Sequence, residues 1–174
     1  MDDLRVVALD VSVSYPDMKR FDCGNDMINR FVQKSLLKRI KKHLSRAYVL
    51  TDSRMCFLGF YTLDTFSIHR ELFELDRPTG LPPAVPVIKL GMLGIDRSSQ
   101  GRGFGKRLLR DTFLKVVEVS RIAGCAGVYL LAEEKAIGFY TSLGFVTLKE
   151  THPTPMFLHI EKIMSSMPST HLRS

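Results

Sequence analysis

Cysteine is scarce in this chain. Its three residues, Cys23, Cys56 and Cys125, are odd in number and widely spaced, with no Cys-x-x-Cys pair. That argues against a disulfide framework and for buried, inert thiols in a reduced, cytoplasmic protein. Long apolar runs are missing too, and none approaches the roughly 18 residues that a membrane span needs. The start, Met1-Asp2-Asp3, is acidic and has no signal-peptide pattern. Neither repeats nor a second domain are visible. The 174 residues therefore read as one domain over 1–164, large enough to bury a core without disulfides or metal, with a flexible tail at 165–174.

One absence is local. Between Arg30 and Arg46 there is no Asp or Glu, yet the stretch holds seven Lys and Arg residues (Arg30, Lys34, Lys38, Arg39, Lys41, Lys42 and Arg46) and His43, in a chain of net charge +7. Read as one helix, it puts Arg30, Lys34, Lys38, Lys41 and Lys42 on one face and Phe31, Leu36, Leu37, Ile40 and Leu44 on the other. Solvated helix faces usually mix signs, because like charges repel. The stripe is either a basic surface helix without a partner or a site for phosphates such as those of nucleic acid.

What is present reads as alternating strands and helices. Residues 4–13 form an opening strand, and Asp22 or Asn25 caps a helix near 25–31. Residues 47–51 and 56–63 make a hairpin about a turn at 52–54. Residues 64–83 are an irregular connection with some helix near His69–Phe73. A strand buried on both faces runs from Pro86 to Ile95. A long amphipathic helix follows from Phe104 to Ala123, with Gly124 as its C-terminal glycine. Gly127–Ala132 is a buried strand, 136–143 a helix closed by Gly144, and 145–149 and 156–160 complete the sheet.

The junction between the strand ending at Ile95 and the helix from Phe104 carries the chemistry. Its glycines Gly101, Gly103 and Gly105 stand at alternate positions and each costs chain entropy, so they need a reason. Anion binding supplies one, because such a loop can point consecutive N–H groups at an oxyanion beside a helix N-terminus. A structural Gly-rich turn is the alternative. Two named phosphate loops fail on spacing. A Walker A loop needs glycine where Gln100 stands and Ser or Thr where Arg107 stands, and a dinucleotide fingerprint needs a small residue at Lys106.

Gln100-x-x-Gly103-x-Gly105 resembles the pyrophosphate loop of the GNAT superfamily of N-acetyltransferases. The resemblance implies that Gln100, Gly101, Arg102, Gly103, Gly105 and Lys106 hold the coenzyme A pyrophosphate of acetyl-CoA. It also implies that the main chain of Leu93 and Ile95 meets the acetyl thioester and pantetheine. The segment from Ala132 to Phe145, with Ala136, Phe139, Tyr140 and Gly144, resembles the second half of the same site. There Ala132, Ala136 and Phe139 would line the cofactor, and Tyr140 would be the general acid that protonates the departing thiolate. A phenol suits that task, since its ordinary pKa of about 10 keeps it protonated at neutral pH. The alternative is a core tyrosine with a satisfied hydroxyl. Glu133 and Glu134 lie near but serve equally as first-turn carboxylates, so no general base emerges, and no metal site either. The fold implied is α/β (α+β): a GNAT fold whose central mixed, mostly antiparallel sheet of six to seven strands is flanked by about four helices, with strands 4 and 5 splayed.

Outside that core, residues 21–31, Tyr48-Val49-Leu50, Gly59-Phe60-Tyr61-Thr62-Leu63, Gly80-Leu81-Pro82, Pro86-Val87-Ile88 and Met156-Phe157-Leu158 are similar to the TacT/AtaT/KacT type of GNAT toxin. The likeness covers about residues 4–160. It implies acetylation of the α-amino group of aminoacyl-tRNA, a block of translation, a homodimer, and neutralisation by a ribbon–helix–helix antitoxin. Arg30, Lys34, Lys38, Lys41, Lys42 and Arg46 would then contact tRNA phosphates. Met92 departs from the arginine that many of these toxins carry there. Two other readings stand beside this one: an acetyltransferase for a protein or small-molecule amine, and a non-catalytic nucleic-acid-binding module.

Overall fold

The computed structural model describes residues 3–73 and 80–168. Seven strands form one mixed sheet in the order β1-β2-β3-β4-β5-β7-β6. They are β1 (Arg5–Ala8), β2 (Arg46–Thr51), β3 (Gly59–His69), β4 (Ala84–Ile95), β5 (Gly127–Ala132), β6 (Val146–Thr147) and β7 (Thr154–His159). The helices are α1 (Asp26–Lys34), α2 (Leu36–Lys41), α3 (Phe104–Ile122), α4 (Ile137–Ser142) and α5 (Ile160–Ser165). The chain divides into two compact units, one of residues up to Asp64 with Leu90–Thr112, the other of Thr65–Lys89 with the residues from Phe113 onward.

In the first unit, β1 and β2 pair antiparallel, as do β2 and β3, the latter in the register Tyr48↔Tyr61. Asn25 caps α1, its side chain accepting from the N–H groups of Met27 and Ile28. Val32 of α1 and Leu36 and Ile40 of α2 bury against Phe21, Phe57 and Phe60. Phe21 meets both of those rings edge-on, at 5.3 and 5.5 Å between centroids.

The second unit holds β5, β6 and β7. Antiparallel pairing runs along the whole of β5, from Gly127↔His159 to Ala132↔Thr154. The parallel ladder of β4 with β5 takes in Ile88↔Val128 and Lys89↔Tyr129. Ile68, Phe73, Val85, Val87, Tyr129 and Phe157 form a core here. Gly144 closes α4 as expected, at φ 96°, with Phe145 N–H bonded back to the Tyr140 carbonyl.

Several expectations are corrected. The basic stretch is not one helix: the backbone breaks at Ser35 (φ −117°, ψ −33°), and Arg46 opens β2 instead of ending a helix. His43 ends the turn after α2 in a left-handed conformation (φ 55°). That reversal leaves Leu44 53% exposed, and Leu37 also faces outward. The opening strand stops at Ala8, because the Asp10 carboxylate captures the N–H and hydroxyl of Ser12 and turns the chain. Residues 64–69, expected to be irregular, continue β3, while the helical turn expected near His69–Phe73 is present at Arg70–Leu72.

In β4, Ala84 and Pro86 are exposed, so this strand is not buried on both faces throughout. Gly124 does not adopt a left-handed conformation, and Leu131 is 44% exposed within β5. The residues after Thr154–His159 turn into α5, capped by His159, rather than extending the sheet. The three thiols are half-buried, not buried. Desolvation raises the pKa of each, with the carboxylates of Asp17 and Asp52 adding to the effect at Cys56. The tail beyond Pro168 and residues 74–79 of the expected irregular connection lie outside the described residues.

Candidate active site

Side chains fix the loop that follows β4. Asp96 Oδ1 accepts from the N–H and hydroxyl of Ser98 (3.1 and 2.6 Å), and its Oδ2 accepts from the Asp22 N–H (3.1 Å). The Arg97 N–H donates to the Asp22 carbonyl at 2.8 Å. Gln100 turns its amide inward: Nε2 donates to the carbonyls of Cys23 and Ile95, each at 2.9 Å. Hydrogen bonds from the Gly24 N–H and the Asn29 amide hold the Asp22 carboxyl below its ordinary pKa. Sequence reasoning missed the roles of Asp22 and Asp96. Asp96-x-Ser98 is the local signal of such a turn; the partners contributed by residues 22–29 leave no local trace.

Beyond Gln100 the loop is built for conformation. Gly101 (φ 73°) and Gly103 (φ 77°) are both left-handed, and no atom lies within 4 Å of where a side chain would begin. Backbone geometry, not crowding, therefore requires glycine at both. Left-handed residues of this kind turn successive N–H groups to one side, the geometry of an anion-binding nest. Phe104, Gly105 and Lys106 then open the 19-residue α3, where a helix leaves its first N–H groups without intrahelical acceptors. No acidic residue stands in that first turn. Lys106 and Arg107 stand there instead, cations at the positive end of the helix dipole. An isolated helix is disfavoured by that placement, and an anion bound at the end reverses the sign. Arg102, exposed, lies 4.8 Å over the Phe104 ring. Loop and helix end thus fit a pyrophosphate group. Leu93 and Ile95 are half-buried on the strand leading in.

The second unit holds the other candidates. Ala132 ends β5 buried, and Ala136 closes a single helical turn ahead of α4. On α4 the Tyr140 ring packs edge-on against Phe139 (5.3 Å) and Phe145 (5.4 Å). Burial pushes the Tyr140 phenol up to about 12. Among the described residues its hydroxyl has no hydrogen-bond partner. A phenol kept protonated and not engaged internally is equipped to give a proton to a neighbouring anion. Phe145 packs with Phe113 at 6.2 Å, a structural role.

Arg30, Lys34, Lys38, Lys41, Lys42 and Arg46 are all exposed. Among the described residues none of them is ion-paired. Arg39 behaves differently, donating from Nε to Ser45 Oγ at 3.0 Å. Met92 is partly buried against the core around Phe21 and Phe60. Among the described residues no His, Cys, Asp and Glu group could hold a metal ion, and no helix is long and apolar enough to cross a membrane.

An acetyltransferase (GNAT) domain family matches residues 43–147. The chain belongs to this acetyltransferase family. Its GNAT relatives include a tRNA-acetylating toxin of Mycobacterium tuberculosis (strain ATCC 25618 / H37Rv), 30% identical over 148 residues that make up 82% of this chain and 85% of the relative. Among solved structures, AtaT complexed with acetyl-methionyl-tRNAfMet superposes with a TM-score of 0.85 at 31% identity, covering 94% of this chain and 98% of that one. A mutant AtaT bound to the C-terminus of the antitoxin AtaR and acetyl-CoA gives a TM-score of 0.79 at 33% identity, with 94% and 97% covered. The fold of this chain is the GNAT fold.

Proposed function

We propose that this protein is an acetyl-CoA-dependent N-acetyltransferase toxin that acetylates the α-amino group of aminoacyl-tRNA and so blocks translation. The observation that carries the cofactor half is the left-handed pair Gly101 and Gly103 ahead of an acid-free, Lys- and Arg-bearing helix N-terminus. Gln100 positions that loop through the Cys23 and Ile95 carbonyls. Backbone N–H groups of 101–106, with Arg102 and Lys106, hold the coenzyme pyrophosphate, and the main chain of Leu93 and Ile95 meets the thioester arm. Ala132, Ala136 and Phe139 line the cofactor, and Tyr140 gives its proton to the departing thiolate.

The exposed cations of α1 and α2, with Lys42 and Arg46, support an RNA acceptor, since a small amine needs no such acid-free set of cations. The tRNA and antitoxin complexes of AtaT support the same reading. The same proposal has the protein work as a cytoplasmic homodimer neutralised by a ribbon–helix–helix antitoxin. The test is incubation with labelled acetyl-CoA and a full set of charged tRNAs. Label on the aminoacyl moiety of one or more is expected; none on any sinks the proposal.

A further inference from the structure

One carboxylate in the first unit has less compensation than its burial demands. Asp64 lies on β3 with its side chain 20% exposed. Its Oδ1 is buried and, among the described residues, meets no hydrogen-bond donor. Its Oδ2 has the Arg39 guanidinium at 3.8 Å, on a side chain that is itself 40% exposed and bonded through Nε to Ser45. A long, partly exposed pair of this kind contributes little, whereas a half-buried carboxylate short of donors carries an uncompensated desolvation cost. The carboxylate retains an affinity for a cation.

Its position says which cation. A side chain begun at Gly91 would come within 2.9 Å of Thr62 Oγ1 and 3.2 Å of Asp64 Oδ2, so the carboxylate lies directly on the β4 backbone at Gly91. Thr62 is occupied, accepting from the Met92 N–H at 3.0 Å. Leu93 stands two residues farther on the same face of β4, about 7 Å away. Arg39, the charged neighbour of Asp64, comes from α2, which also exposes Lys38 and Lys41. β4 presents Gly91 and Met92 there, and its next charged residue, Lys89, sits over the Phe66 ring at 5.1 Å.

An aminoacyl-tRNA is a polyanion that ends in a single α-ammonium. A site for it needs cations for the phosphates and one anion for the amine, side by side. We propose that Asp64 is the acceptor-binding carboxylate, which holds the α-ammonium beside Gly91 and takes one proton from it; this rests on the aminoacyl-tRNA reading above. The nitrogen gives up two protons in all as its bond to the acetyl carbon forms and the carbon–sulfur bond breaks. One ends on the coenzyme thiolate, and Asp64 passes the other to solvent.

The test compares wild type, Asp64→Asn and Asp64→Glu by labelled-acetyl transfer to the best charged tRNA between pH 6 and 9, with calorimetry for acetyl-CoA and for deacylated tRNA. Asp64→Asn should lose about 10- to 100-fold in kcat/KM at pH 7, the range a charged hydrogen bond supports. Part of the loss should return as the pH rises past roughly 8, where the α-ammonium loses its proton unaided. Asp64→Glu should recover part of the rate, and both cofactor and deacylated-tRNA affinities should hold. A wild-type rate in Asp64→Asn, or an equal loss at every pH together with lost acetyl-CoA binding, overturns the assignment alone. Wild type that labels no aminoacyl group overturns the acceptor reading and this assignment with it. A measurement on wild type is independent of folding in the variants: charged tRNA should bind more tightly at pH 6.5 than the same tRNA with its amine acetylated, and equal affinities overturn the proposal.

Discussion

The Tyr61 hydroxyl donates a 2.6 Å hydrogen bond to Asp111 Oδ2, joining the start of β3 to α3 across 50 residues of sequence. Tyr61 is fully buried, its ring stacked on Tyr48 at 5.0 Å. Burial first, and then the Asp111 carboxylate, raise its pKa well above the ordinary phenol value. Tyr61→Phe removes the hydroxyl that donates to that carboxylate oxygen. It should lower unfolding free energy by about 1–3 kcal/mol, the cost of stranding a partly buried acceptor. Urea denaturation followed by circular dichroism measures it. A change under a few tenths would mean the bond is marginal.

Tyr140→Phe should keep acetyl-CoA affinity and lose about 10²- to 10⁴-fold in kcat, the usual span for general acid–base groups. The sign of the pH effect follows from burial. Because the folded-state pKa is raised to about 12, the protonated phenol is favoured, and whatever stability this adds is complete below the ordinary value of about 10 and lost as pH climbs through the raised one. The kcat profile should therefore show no falling limb from this residue up to pH 9. A limb near neutrality that vanishes in Tyr140→Phe contradicts the role.

Gly101→Ala and Gly103→Ala should each weaken acetyl-CoA binding without a steric cause, since nothing lies within 4 Å of either new methyl. The penalty is conformational, on the order of 1–2 kcal/mol per left-handed residue, or about tenfold in Kd. Calorimetry with acetyl-CoA reads it directly. Unchanged affinity in both variants would remove the loop from cofactor binding.

Lys38→Glu with Lys41→Glu should reduce turnover of charged tRNA and flatten its salt dependence, because each lost phosphate contact lowers the slope of log K on log salt by about one. Transfer to a small amine, if any exists, should survive the change. Equal loss for both acceptors would argue against an RNA contact at this face.

Short-range rules make much of this protein legible in its amino-acid order alone. Asn25 as a cap, the apolar stripe of Phe104, Leu108, Leu109, Val116 and Val117 on α3, the bounds of β5 and the closing Gly144 all depend on residues within about one turn of each other. The alternate glycines after Gln100 belong to the same class, since their chemistry lies in backbone conformation and in the helix end beside them.

Tertiary structure decided the rest, wherever a partner lay far along the chain. The break at Ser35 follows from seating Val32 and then Leu36 and Ile40 on the same aromatic core, which a count along a single ideal helix does not contain. Continuation of β3 through His69 depends on its neighbours in the sheet. The Gln100 amide is set by the Cys23 carbonyl, 77 residues away. The position of Asp64 against Gly91 is likewise a product of two strands meeting. Periodicity and capping are local properties of the backbone, while strand pairing, close approach and the compensation of buried charge are settled only when distant segments occupy the same space.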